Sequence, residues 1–253
     1  MGLYLAYLIL VAIFKPKAMP ALPEEERTLK GTALLLRCLK VLLPPLLLII
    51  SVLGSIMLGA ATPTEAASVG AVGSILLAAA HRQFNRRILR EVMQTTVRIS
   101  SMVFMIFIGA LLFSATFRGY GGDSMVAGLL SNLPGGQVGA IFVVMLVMFF
   151  LGFILDFIEI TLVMVPIIAP VLFKMNIDPI WLGVMIGVNL QTSFLTPPFG
   201  FSLFYLRGVA PQSVTTTHIY RGVVPFIMLQ VLMLFILAMW PQLATWLPHH
   251  ISN

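Results

Sequence analysis

Long apolar runs alternate with short polar segments from one end of the chain to the other. A bilayer span needs about 20 apolar residues. Residues 1–14 are apolar and read as the tail of a transmembrane helix. A polar loop follows at 15–40, with Lys15, Lys17, Glu24, Glu25, Glu26, Arg27, Lys30, Arg37 and Lys40. Residues 41–60 form a clear span and 65–80 a second. Between them stands Thr62-Pro63-Thr64-Glu65, in which Thr62 caps a helix, Pro63 suits its first position and Glu65 closes a capping box. Residues 81–98 carry Arg82, Arg86, Arg87, Arg90, Glu91 and Arg98, the pattern of a short interfacial helix with a basic face on lipid head groups. A third span, 99–117, ends at Arg118. Gly119, Gly121 and Gly122 break it, 123–133 reads as a short amphipathic helix, and Pro134-Gly135-Gly136 makes the next turn.

The pattern then changes. Residues 137–155 are apolar, Asp156 and Glu159 follow, and the charge-free run 160–173 is short for an independent span. A re-entrant hairpin turning near Asp156 explains this better, since irregular backbone at membrane depth survives only when buried in protein or lining a cavity. Pro166 and Pro170 argue against a plain straight second arm. Asp178 and Pro179 read as the cap and first residue of another helix. Residues 180–206 carry no charge but are interrupted by Thr196-Pro197-Pro198-Phe199-Gly200, so that helix is expected to break near mid-membrane. The last span is 222–247, with Trp240 and Trp246 suited to an interfacial belt.

Composition agrees with the pattern. Hydrophobic residues make up 59% and charged residues 9% of 253, with a mean hydropathy of +1.03. Soluble domains carry about 25% charge, so a soluble enzyme or nucleic-acid binder is excluded. The net charge of +6 matters less than where it lies. If 15–40 and 81–98 face the cytoplasm, Arg207 and Arg221 fall on the same side, and only Arg118 and Lys174 of the 15 Lys and Arg lie outside. That sorting obeys the positive-inside rule, although it does not separate a re-entrant hairpin from two full spans. The single cysteine, Cys38, excludes an internal disulfide framework and reads as a bystander.

Two constellations carry the candidate chemistry. Ionisable groups within an apolar segment are costly and mark function by default. Asp156 at the hairpin tip faces a cation or orients carbonyl oxygens; it equally reads as a capping residue at a helix break. Glu159 is a further candidate, or else a buried structural partner. The second constellation is Asn189, Gln191, Thr192, Ser193, Thr196, Pro197 and Gly200, which joins amide and hydroxyl oxygens to an unwound backbone. Discontinuous helices expose carbonyls to Na⁺ in this way, and oxygen ligands suit a hard cation; the alternative is a proline kink whose carbonyls bond to local side chains. His81, His218, His249 and His250 lie near span borders without an intramembrane acid, so catalysis has no support.

Three runs in this order, GAATPTEAASVGAVG (59–73), LGFILDFIEITLVMVPIIAPVL (151–172) and GVNLQTSFLTPPFGFSLFYLRGVAP (187–211), resemble the large membrane subunit of a tripartite ATP-independent periplasmic (TRAP) transporter. The resemblance implies an all-α membrane protein of the bacterial inner membrane, an elevator-type transporter repeat with one re-entrant helical hairpin and one broken transmembrane helix. It implies Na⁺ as the coupling ion, with no other cofactor and no enzymatic activity. Its partners would be a small four-helix membrane subunit and a periplasmic substrate-binding protein, with no nucleic acid. Leu155-Asp156 would be a hairpin tip, Thr196, Pro197, Pro198 and Gly200 the break, and Na⁺ would sit between Asp156 and Thr196. No first repeat is visible upstream of residue 41, so the chain resembles the C-terminal half, and the N-terminal half becomes a further partner. The Phe-Ile-Glu-Ile and Gln-Thr-Ser stretches resemble the branch associated with mannitol or chloroaromatic compounds, near α-keto-acid importers; a small organic carboxylate is the substrate class implied. The other expectation is a truncated or split-gene module that does not transport on its own.

The expected organisation is therefore 1–40, a helix end and cytoplasmic loop; 41–98, two scaffold spans and a basic interfacial helix; 99–136, a span and amphipathic helix; 137–211, the hairpin and broken helix; and 212–253, the last span and tail.

Overall fold

The computed structural model describes residues 1–16, 19, 31–197, 200–211 and 214–251, and every regular element among them is a helix. The chain divides into two compact units, Met1–Val97 and Arg98–Ser252.

The first unit holds α1 (Gly2–Phe14), α2 (Gly31–Met57), α3 (Pro63–Ala80) and the start of α4 (Arg86–Gly119). α2 begins earlier than the polar pattern implied: residues 31–40 are helix, not loop. The reason is local, because Ala33 to Lys40 are mostly Ala, Leu, Arg and Lys, all good helix formers. Charge marks where lipid begins, whereas backbone hydrogen bonding continues into water. Residues 17, 18 and 20–30 of the expected loop lie outside the described residues. α3 starts as its residues dictate. The Thr62 N–H donates to Glu65 Oε2 at 2.8 Å, and the Glu65 N–H returns to Thr62 Oγ1 at 3.4 Å. α3 packs against α2 through small residues: a Cβ on Gly70 would lie 3.3 Å from Val52 Cγ2, and one on Gly73 would overlap Leu48 Cδ1. Small side chains in one membrane helix admit the branched side chains of its neighbour.

α4 corrects a second expectation. The basic segment 81–98 and the span 99–117 are not two helices; from Arg86 they form one helix of 34 residues. At 1.5 Å per residue it is about 50 Å long, well beyond the ~30 Å hydrocarbon core. No proline interrupts it. The real break lies earlier, where Arg82 takes a φ of +55° and Asn85 Oδ1 caps the Ile88 N–H at 2.9 Å.

The second unit continues with α5 (Gly122–Ser131), α6 (Gly136–Leu151), α7 (Phe157–Lys174), α8 (Pro179–Leu195), α9 (Phe201–Val209), α10 (Thr216–Met239) and α11 (Gln242–Ile251). Its core gathers α6, α7, α8 and α10, with Met148, Ile160, Leu172, Leu182 and Leu237 fully buried. α6 and α7 form a helical hairpin whose open end is tied by Gln137 Nε2, which donates to the Met175 carbonyl at 2.5 Å. α8 starts on the Asp178 cap, whose Oδ1 accepts the Trp181 N–H at 2.8 Å.

Proline chemistry shapes this unit. Pro166 and Pro170 do not break α7, which runs without interruption. Pro170 has no N–H to return to the carbonyl four residues earlier, that of Pro166. Arg118 Nη2, on α4, donates to that carbonyl at 3.2 Å. The same device recurs at Pro241, which has no N–H for the Leu237 carbonyl; Trp181 Nε1 on α8 donates there at 2.8 Å. Pro241 also explains the third correction. The last span does not run from 222 to 247: it covers Thr216–Met239, and α11 is a separate helix beyond the proline.

Five helices, α2, α3, α4, α7 and α10, are long and apolar enough to cross a membrane; α1, α6 and α8 are apolar but shorter. Large apolar side chains such as Leu36, Leu47, Phe104 and Met105 point outward. Exposed apolar surface on this scale fits lipid, not water, and the chain is an all-α membrane protein.

Candidate functional site

The hairpin tip and the helix break come together within the second unit. α6 ends at Gly152, the chain turns, and Asp156 opens α7. Asp156 Oδ1 accepts the Phe157 N–H at 2.8 Å, and Glu159 Oε2 accepts the Asp156 N–H at 3.4 Å. This is the reciprocal pattern of a capping box, with both carboxylates at the positive end of a helix. The structural alternative for Asp156 is thus realised. Its side chain also accepts the Glu159 backbone N–H, which completes the box. Both side chains are half-buried.

α8 supplies the opposite wall. Asn189 is buried and its Nδ2 donates to the Met145 carbonyl on α6 at 2.8 Å. Thr192 and Ser193 are also buried, and their hydroxyls donate back to the Val188 and Leu190 carbonyls, each at 2.8 Å. Thr196 Oγ1 donates to the Thr192 carbonyl at 2.8 Å. Each hydroxyl has used its proton, while its oxygen keeps lone pairs. Helix α8 stops at Leu195, and Pro197 has no N–H for the Ser193 carbonyl, which the Thr196 N–H takes at 3.1 Å instead. Pro198 and Phe199 lie outside the described residues. The chain re-enters helix at Gly200, whose N–H donates to the Thr196 carbonyl at 3.1 Å. A Cβ on Gly200 would sit 2.6 Å from the Phe194 oxygen and 3.2 Å from the Thr196 oxygen. Two carbonyl oxygens therefore converge on this residue, and only glycine leaves them room.

Two contacts join tip and break. Gly152 lies directly on Ser193: an added Cβ would overlap Ser193 Oγ and come within 2.8 Å of its Cβ. The rings of Phe157 and Phe194 meet edge to face at 5.9 Å between centroids. The structure thus brings Asn189 and Ser193 onto the α6 arm and sets the start of α7, beside Asp156, against the end of α8. Sequence reasoning missed Gly152 and the Phe157–Phe194 pair. A glycine closing an apolar run just before Asp156 was the available signal.

Beside this junction a cavity of about 650 Å³ opens between α7, α8 and α9, with Phe157, Phe194 and Leu195 at one part and the polar side chains of Thr161, Gln191 and Ser202 in its wall. Its size and mostly apolar lining are those of a small-molecule site. Among the described residues no three His, Cys, Asp or Glu side chains cluster as a tightly bound metal requires. Any cation here would meet hard oxygens: the Asp156 carboxylate, the hydroxyls and the backbone of the break.

Relatives share this chain over most of its length. A large permease protein of a C4-dicarboxylate TRAP transporter from Vibrio cholerae is 27% identical over 98% of this chain and 58% of its own length. Its Pseudomonas aeruginosa counterpart is 29% identical over 98% and 57%. The large permease protein of a sialic acid TRAP transporter from Vibrio cholerae is 27% identical over 93% and 54%. The chain spans a little over half the length of these relatives. The family model for the DctM component of tripartite ATP-independent periplasmic transporters matches residues 1–243. With its apolar spans, helical hairpin and broken helix, this chain belongs to the DctM family of TRAP transporter permeases and is a multi-pass protein of the inner membrane.

Proposed function

We propose that this chain carries one cation site and part of the solute path of a Na⁺-coupled importer of small organic carboxylates. The observation that carries the reading is the contact of hairpin tip and helix break, Gly152 on Ser193 and Phe157 on Phe194, beside a cavity of ligand size. In this reading Na⁺ binds between the tip and the break, near Asp156 and Thr196. Its ligands are drawn from the Asp156 carboxylate, the oxygens of Asn189, Thr192 and Ser193, and the backbone from Thr196 through Pro197 to Gly200. Glu159 contributes by orienting the Asp156 backbone through its capping bond.

A bound cation would draw the capped start of α7 and the end of α8 together, lowering the cost of moving the loaded unit through the bilayer. That is the elevator step, in which hairpin and broken helix move as one body. The solute cavity has no Lys or Arg among its described lining residues. A carboxylate there would meet the neutral donors Thr161, Gln191 and Ser202 and the first turn of α9, with Na⁺ nearby offsetting its charge. The rest of the large subunit, a small four-helix membrane subunit and a periplasmic binding protein complete the machine. The solutes for which these relatives are named, C4-dicarboxylates and sialic acid, are carboxylates and support that class.

The test is uptake by the complete transporter in proteoliposomes, with and without an inward Na⁺ gradient. Gradient-dependent uptake is expected, and Asp156→Ala is expected to remove the Na⁺ dependence while the complex still assembles. Uptake indifferent to Na⁺ refutes the coupling; an unchanged Na⁺ response in Asp156→Ala removes Asp156 from the site.

A further inference from the structure

Four polar side chains are buried among the described residues: Asn189, Thr192 and Ser193 on α8, and Gln230 on α10. The first three have the partners given above. Gln230 is only 4% exposed, and among the described residues neither its Oε1 nor its Nε2 has a hydrogen-bond partner. A buried amide left unpaired is costly, and native structures seldom tolerate it.

The position of Gln230 is informative. Ile219, Val223, Gln230 and Leu237 are the buried residues of α10 and lie along one stripe. Ile219 and Val223 pack with Leu203, and Leu195 and Ile227 adjoin them. Leu237 belongs to the larger core of α6, α7 and α8. Gln230 therefore sits where two apolar clusters meet. The Trp181–Leu237 bond sets the register of α8 against α10. Counting back seven residues from Leu237 moves about 10 Å along α10, to the level of Val188 and Asn189 on α8. A groove of about 480 Å³ runs alongside, with Asn189 and Thr192 on one wall and Val231 and Leu234 on the other. Gln230 is thus the α10 member of a polar layer that ends at the helix break.

The amide itself selects the ligand. It presents one acceptor oxygen and two donor protons. A bare cation would satisfy the oxygen alone, and a helix carbonyl the nitrogen alone. Water satisfies both. Asn189 keeps its Oδ1 and Thr192 its oxygen lone pairs for the water's protons, which gives the polar partners that a buried water needs.

We propose that Gln230 holds an ordered water that ties α10 to the polar layer of α8, and that this tether positions the break for cation binding. Gln230 is then a positioning residue, and the second clause rests on the Na⁺-coupled reading above. Two measurements test it. A map of the complete transporter at about 2 Å resolution is expected to show a water within about 3.5 Å of the Gln230 amide and of an oxygen on α8. An empty gap there, or a direct bond from Gln230 to α8, overturns the tether. The variant Gln230→Leu removes the unpaired amide without opening a large cavity, so it is expected to assemble normally. Its half-saturating Na⁺ concentration is expected to rise about tenfold, the loss of one interhelical hydrogen bond, while maximal uptake falls less than twofold. An unchanged half-saturation overturns the positioning role, because a purely structural residue would move maximal uptake and assembly first. If the unaltered transporter ignores Na⁺, the coupling reading fails instead, and the map alone decides the tether.

Discussion

Gly152→Ala isolates the contact between hairpin tip and broken helix. The backbone does not object, since Gly152 has φ −65° and ψ −6°, ordinary values for alanine. The obstacle is Ser193, whose Oγ the new methyl would overlap and whose Cβ it would approach to 2.8 Å. Carbon atoms rest at about 3.5–4.0 Å, so the tip must retreat by about 1 Å or Ser193 must turn. Ser193 is fully buried and its hydroxyl is bonded to the Leu190 carbonyl, which leaves it little freedom. Overpacking of this kind costs about 1–3 kcal/mol. Removing the obstacle reverses the effect. Ser193→Gly deletes both offending atoms at about 1 kcal/mol of helix propensity, leaving the Met148 oxygen, at 3.4 Å, as the next nearest atom to the new methyl. Ser193→Ala keeps the Cβ and rescues less. The assay is a double-mutant cycle in the assembled transporter, read by thermal unfolding in detergent and by the Na⁺ response of uptake. The double variant Gly152→Ala, Ser193→Gly is expected to match Ser193→Gly alone in both readouts. Additive losses would show that tip and break do not touch, and with them would go the main support for a shared cation site.

Three further outcomes follow from the geometry. Trp181→Phe keeps the ring packing but leaves the Leu237 carbonyl without a donor, and is expected to destabilise the protein by about 1–3 kcal/mol in thermal unfolding; Pro241→Ala, which restores a backbone N–H, is expected to recover most of that loss. Arg118→Leu is expected to cost about 1 kcal/mol, since Arg118 is half exposed, and to cost clearly less in a Pro170→Ala background, where the Pro166 carbonyl regains its helical donor and only the exposed pair with Asp123 is lost. Thr62→Ala removes the α3 cap and is expected to cost about 1 kcal/mol, with Thr62→Ser close to the unaltered protein when both are compared by the same unfolding measurement.

Signals confined to a few residues were the legible ones. The Thr62 capping box, the Asp178-Pro179 start and the break at Thr196–Gly200 each depend on atoms within one helical turn, so residue types alone announce them. The capping role of Asp156 belongs to the same class: Asp followed by Glu three residues later spells it out, and the structure displays it. Hydropathy read the lipid boundary well and the helix boundaries poorly. Arginines at 86–98 look like an interface, yet arginine continues a helix readily, so α4 crosses from basic to apolar without a break. The meeting of Gly152 with Ser193 was hidden for a different reason. It joins residues far apart in sequence and is decided by the packing of α6 on α8; the glycine before Asp156 marks a close approach but does not name its partner. The unpaired state of Gln230 is of that kind too.

The proline-vacated carbonyls bear on how the chain is made. In lipid an unsatisfied carbonyl costs several kcal/mol, so α7 with Pro170, or α10 running into Pro241, is handicapped as an isolated segment. In both cases the rescuing donor comes earlier in the chain: Arg118 precedes Pro166, and Trp181 precedes Leu237. Synthesis from the N-terminus therefore delivers each donor to the membrane before the helix that depends on it. For these two carbonyls the order of the chain becomes an order of insertion, in which the donor is in place before the helix that needs it.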